Sequence, residues 1–201
     1  MLYYLHLWSD WFSPLRIFQY ITVRTFAGAG TAFLLSLVLG PLVIRWLRYL
    51  KFGQYIRTEE APPLGILHAS KAGTPTMGGI LIIGSLTLST LLWAIPTNPF
   101  VWLALSALLC MGLIGFADDY SKIARRQSKG MSARRKLAFQ VLYGAAVSVV
   151  LLLLPETREG VRQLMVPFVK DPFVGDMGGF WAALFVVVVV VGASNAVNLT
   201  D

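Results

Sequence analysis

Charge is what this 201-residue sequence has least of: Lys, Arg, Asp and Glu together make up 13%, against about 25% in a soluble domain. With a mean hydropathy of +0.67, that scarcity excludes an ordinary water-soluble domain and a disordered chain alike. Cysteine is almost absent as well. Cys110 stands alone in an apolar block, so no intramolecular disulfide forms and a stapled secreted scaffold is excluded. The two histidines, His6 and His68, are isolated and have no metal-ligand partner. No internal repeat is visible, and no basic n-region with a small-residue cleavage site marks a removable signal peptide. What is present is apolar sequence, 56% of the chain, gathered into blocks without charge. In lipid every backbone group must be satisfied within its own segment, so these blocks predict an all-α, polytopic membrane helical bundle.

The charge-free blocks place the spans. Twenty residues separate Arg24 from Arg45, about the number a helix needs to cross a bilayer core. No residue from Ala72 to Ala117 is charged, which is too long for one crossing, and the run Pro96-Thr97-Asn98-Pro99 divides it into a hairpin. The whole chain reads as one integral-membrane domain, 1–201, with five spans near 25–44, 74–95, 99–117, 137–155 and 178–200. Residues 1–20, with Trp8, Trp11, Phe12, Phe18 and Tyr20, suit a headgroup-level aromatic belt.

The net charge of +7 reports orientation before any nucleic-acid partner, and none is expected. Five Lys or Arg lie in residues 45–75 and seven in 118–136, whereas 155–176 carries three basic against four acidic residues. The two basic loops are therefore expected on the cytoplasmic side and the N-terminus outside. Most of these cations need no role beyond attraction to anionic membrane lipids.

Three polar constellations then fall on one membrane face. Asp118 and Asp119 are expected at the C-terminus of the third helix, where adjacent carboxylates oppose the helix dipole at about 0.3–1 kcal/mol each. Beside Lys122, Arg125, Arg126 and Lys129 they could hold Mg²⁺ together with a phosphate; the plainer alternative is an acidic helix end paired with the basic residues that follow. Gly73-Thr74-Pro75-Thr76-Met77-Gly78-Gly79 is expected to open the second helix, with Thr74 as N-cap and Pro75 at the first helical position. Its free N–H groups would face a phosphate or a uracil carbonyl, unless the glycines only permit close helix packing. Asn195, Asn198 and Asp201 recur every three residues along one helix side. They suit a nucleobase or ribose edge, or an Asn ladder between helices.

The segments Phe52–Arg57 (FGQYIR), Lys71–Gly79 (KAGTPTMGG), Phe116–Tyr120 (FADDY) and Asn195–Asp201 (NAVNLTD) resemble, in order, the polyprenyl-phosphate sugar-1-phosphate transferases. Within that superfamily they are most similar to the phospho-N-acetylmuramoyl-pentapeptide-transferases. The resemblance implies an Mg²⁺-assisted transfer of phospho-N-acetylmuramoyl-pentapeptide from UDP to undecaprenyl phosphate. The products would be UMP and the first lipid-linked peptidoglycan precursor, formed at the cytoplasmic face of the bacterial inner membrane. It implies Asp118 and Asp119 as catalytic residues, with Asp118 as base or orienting carboxylate and Asp119 supporting the metal. Lys71, Thr76, Asn198 and Asp201 would line the nucleotide pocket, and Lys129 would contact phosphate.

The same resemblance implies about ten membrane helices, of which five are expected here. A later metal-binding aspartate and a histidine-rich loop have no counterpart in these 201 residues. The chain is therefore expected to hold about half of an active site and to be inactive alone. A related UDP-N-acetylhexosamine transferase, a transporter half and a non-catalytic membrane module are the competing readings. A homodimer is left open by the sequence.

Overall fold

The computed structural model describes residues 1–50, 77–125 and 130–199. They divide into two compact units, Met1–Met131 and Ser132–Asp201. Among the described residues four helices are long and apolar enough to cross a membrane, and a fifth is apolar but shorter.

In the first unit two short 3₁₀ helices, Leu2–Trp8 and Ser13–Gln19, lead into α1 (Ile21–Tyr49). α2 (Gly79–Trp93) and α3 (Pro99–Arg125) follow as a hairpin. α1 and α2 run antiparallel: Gly28 lies against Ser89 and Trp93 near one end, while Gly40 lies against Leu81 near the other. The expected turn between spans two and three is where the sequence placed it. Pro99 opens α3 and Asn98 Oδ1 accepts the Phe100 N–H at 2.9 Å, which satisfies one of the orphan donors of a helix start.

Two boundaries differ from expectation. The second helix begins at Gly79, not at an N-cap on Thr74. Met77, at φ +74°, stands in the left-handed region and interrupts helical continuity just before it. The described helix has 15 residues, about 22 Å long and so shorter than a bilayer core. The third helix does not end at Ala117 but continues to Arg125. Asp118 and Asp119 consequently lie inside α3 and not at its C-terminus. Residues 120–129 contain no Gly or Pro, and Lys122 pairs back onto both carboxylates, so nothing in the sequence stops the helix where its apolar stretch stops.

The second unit contains α4 (Ala133–Leu153), α5 (Pro155–Arg162) and α6 (Gly178–Leu199). α5 and an isolated antiparallel bridge between Leu164 and Val174 occupy what the sequence showed only as a loop. α4 packs on α6 through Gly144, whose Cβ position would lie 3.2 Å from Val187 Cα.

Among the described residues the few buried side chains are as often polar as apolar, Leu47, Leu105 and Ala182 standing beside serines and a glutamine. Ser85, Ser89, Gln140 and Ser148 are buried, whereas Phe26, Phe33, Leu37, Val38, Phe180 and Val188 are exposed. Such a pattern is what lipid selects: apolar side chains gain nothing by facing inward, and small or hydrogen-bonding residues hold the helix contacts. Ser89 Oγ donates to Gly28 O at 2.6 Å between α2 and α1, and Ser148 Oγ donates to Gly144 O at 2.6 Å within α4.

Candidate functional site

Asp118, Asp119 and Lys122 form the polar cluster of α3. Spacings of three and four residues put them on one helix face. The Lys122 ammonium lies 2.7 Å from Asp118 Oδ2 and 3.0 Å from Asp119 Oδ1. Asp118 is the more enclosed carboxylate, its side chain 19% exposed against 37% for Asp119. The Met131 backbone N–H donates to Asp118 Oδ1 at 2.8 Å, so both oxygens of Asp118 are engaged. Gly130 passes so close to this carboxylate that any Cβ there would overlap it.

Asp119 faces a different environment. It stands at one end of a groove of about 520 Å³ between α2 and α3, walled by Met77, Ile80, Ile83, Leu113 and Phe116. An anionic group thus borders an apolar channel at the end of the bundle where α2 starts.

For the Mg²⁺ that the resemblance implies, Asp118 and Asp119 offer two hard oxygen donors, of which Lys122 at present occupies one on each carboxylate and would have to withdraw. The ion is satisfied by one or two carboxylates when water and phosphate oxygens complete its shell. Lys122 already supplies a cation at hydrogen-bond distance from both carboxylates. A third His, Cys, Asp or Glu does not join them among the described residues.

The other expected site residues divide as follows. Lys71, Thr76, Lys129 and Asp201 lie outside the described residues, and so do Thr74 and Pro75. Asn198 belongs to the last turn of α6. Asn195, grouped with it as a candidate nucleobase reader, is committed elsewhere. Its Nδ2 donates to Gln140 Oε1 and to Val191 O, each at 2.8 Å. The helix-ladder reading is the one the geometry of Asn195 supports. Its partner Gln140, 2% exposed, is a residue the sequence reading missed. The available signal was a lone amide inside the otherwise apolar stretch after Lys136. Lys122 was read only as one of several neighbouring cations; its spacings of three and four from the aspartates singled it out.

A family model for glycosyl transferase family 4 matches residues 100–201, and a phospho-N-acetylmuramoyl-pentapeptide-transferase signature matches residues 71–83. The chain belongs to glycosyl transferase family 4, and it is a multi-pass membrane protein. Among its relatives, the phospho-N-acetylmuramoyl-pentapeptide-transferase of Methylacidiphilum infernorum is 47% identical over 203 residues, covering 100% of this chain and 55% of the relative. Those of Solidesulfovibrio magneticus and Koribacter versatilis are 45% and 42% identical, each covering 94% of this chain and 50% and 52% of the relative. The chain spans about half the length of the curated relatives it matches.

Proposed function

We propose that this chain forms part of a phospho-sugar transferase that moves phospho-N-acetylmuramoyl-pentapeptide from UDP to undecaprenyl phosphate, releasing UMP at the cytoplasmic face of the bacterial inner membrane. The observation that carries this reading is the Asp118–Asp119–Lys122 cluster at the mouth of an apolar groove, in a chain whose residues 71–83 match the transferase signature. Such a groove suits an isoprenoid tail whose phosphate reaches the carboxylates.

Asp118 and Asp119 would hold Mg²⁺, which when bound would neutralise charge on the phosphates. Asp118, clamped from both sides by an amide and an ammonium, is built to orient a neighbour. It could take a proton only after Lys122 lets go. Lys122, on a flexible four-carbon stem, can exchange its carboxylate partners for the phosphate of an incoming substrate. Lys71, Thr76, Asn198 and Asp201 are proposed for the nucleotide, and Lys129 for phosphate. Positioning and electrostatics would carry most of the rate, as in other phosphoryl transfers.

The test pairs the chain with the C-terminal half of the Methylacidiphilum infernorum relative, in membranes supplied with UDP-MurNAc-pentapeptide and undecaprenyl phosphate. UMP release that depends on Mg²⁺ and on both halves is expected. Asp118→Asn should lower it by about 10²-fold or more while nucleotide-sugar binding persists. Turnover by Asp118→Asn at the unsubstituted rate would overturn the assignment.

A further inference from the structure

The end of the first unit opposite Asp118 contains a second polar constellation that phosphoryl transfer does not use. Arg24, in the first turn of α1, borders a cavity of about 390 Å³ shared with the C-terminal end of α2 and the start of α3. Its Nη1 donates to Trp93 O at 3.5 Å and the Tyr3 ring covers its guanidinium at 4.9 Å. Its Nε is buried without an acceptor. No carboxylate pairs with it among the described residues. A buried guanidinium donor left without an acceptor is costly, so the described residues alone leave the site incomplete.

The surroundings define what would complete it. Asn98, which lines the cavity, accepts the Phe100 N–H on its Oδ1, so its amide N–H₂ is not used in that bond. Thr90 adds a hydroxyl on the same wall. Leu86 and Val101 supply apolar surface deeper along α2 and α3. A guanidinium, an amide and a hydroxyl-bearing residue thus line one cavity together with an apolar wall, a composition that suits an anionic oxygen cluster carrying a hydrocarbon tail. The position agrees. α1 has 29 residues, about 43 Å of helix against a bilayer core of about 30 Å, so a first-turn arginine stands at headgroup depth. Trp93, stacked on Phe18 at 5.8 Å, and Trp102, donating to Pro96 O at 2.7 Å, give the aromatic belt of that interface.

We propose that this cavity binds the phosphodiester headgroup of an anionic phospholipid, with Arg24 as its charged anchor and Asn98 and Thr90 as auxiliary donors. The fork of arginine matches phosphate oxygens two at a time; Nε itself is covered, so a phosphate would engage it only as the groups around it shift. The site stands on the membrane face opposite the Asp118 cluster and is independent of the transfer chemistry.

The test places the purified chain in detergent micelles doped with phosphatidylglycerol or phosphatidylcholine and counts retained lipid by native mass spectrometry. Expected is retention of one phosphatidylglycerol more than Arg24→Gln retains, with an apparent affinity lowered about fivefold or more in the variant. Asn98→Leu, which leaves the cation in place, should weaken retention less, and Arg24→Lys should restore part of it. Inorganic phosphate at matched concentration should not displace the lipid. Equal phosphatidylglycerol retention by the unsubstituted chain, Arg24→Gln and Asn98→Leu would overturn the proposal. So would retention of phosphatidylcholine equal to that of phosphatidylglycerol, or displacement by inorganic phosphate alone.

Discussion

Asp118 is held by a main-chain amide as well as by a side chain, which makes its position sensitive to a residue that carries no functional group. Gly130 leaves just enough room for the carboxylate. In Gly130→Ala the methyl group and Asp118 Oδ1 compete for the same space, and the Met131 N–H loses its charged acceptor. The Met131 amide should then exchange with solvent about tenfold faster, the lower end of what a hydrogen bond to a charged group contributes. Hydrogen-exchange mass spectrometry on the segment around Met131 measures it, and unchanged exchange would show that the bond does not hold the carboxylate. The aspartates themselves were legible in the sequence, because two adjacent carboxylates beside a charge-free block are conspicuous. Their setting was not. The sequence shows where hydrophobicity stops but not where the helix stops, and the Lys122 pairings belong to a helix that outlasts its apolar stretch.

Among the helices, α4 and α6 meet at a point where side-chain volume decides the fit. Gly144 faces the Val187 backbone across 3.2 Å, whereas Gly192 on α6 has open space where a Cβ would stand. Gly144→Val should therefore destabilise the second unit by about 1–3 kcal/mol through overpacking, and Gly192→Val should change it little. Unfolding in mixed micelles compares the two, and equal effects would place the helix contact elsewhere. The long helices were readable from their charge-free lengths, but this contact was not, since a glycine in an apolar run looks the same whether it faces lipid or a neighbour. Gln140 and Asn195 escaped pairing for the same reason: 55 positions separate them, and no period in the sequence joins them. α2 was misread at its start because the left-handed φ of Met77 is a backbone property that residue type rarely announces outside glycine.

The segment between α5 and α6 has its own switch. Asp176 accepts the Gly178 N–H at 2.7 Å at the start of α6 and pairs with Arg162 Nε at 2.8 Å. The Gly178 hydrogen bond first, and the Arg162 charge second, hold its carboxyl below the usual carboxylate value of 3.8. A carboxyl depressed in the folded state stabilises the fold above its unfolded pKa, and that contribution fades as the pH falls through the lower folded value. The protection of the Gly178 amide, its exchange rate relative to that of an unstructured amide at the same pH, should thus hold from pH 6 down to about pH 4 and fall as the pH drops below the ordinary carboxylate value. Asp176→Asn should remove most of that pH dependence; a profile identical in the variant would assign it to other groups.

For the molecule as a whole, the basic loops predict that residues near 118–136 face the cytoplasm and that 155–176 face outward. In a Cys110→Ser background, Lys170→Cys should react with an impermeant reagent added to intact cells and Ser132→Cys should react only after lysis. The reverse pattern would invert the proposed topology.

The Arg162–Asp176 fork has a further consequence for the integrity of the chain. It joins the two ends of the stretch that carries Phe168, whose side chain is fully exposed, and the Leu164–Val174 bridge closes the same stretch a second time. The two ends of the stretch are thus joined without the tip, by the bridge and, weakly because it is exposed, by the fork. A protease that cuts beside Phe168 or Lys170 should leave two polypeptides that separate in denaturing gels yet migrate together in native ones, held by the fork, the bridge and the α4–α6 contact. Arg162→Ala should loosen that union, and the second unit would then behave as an assembly of parts.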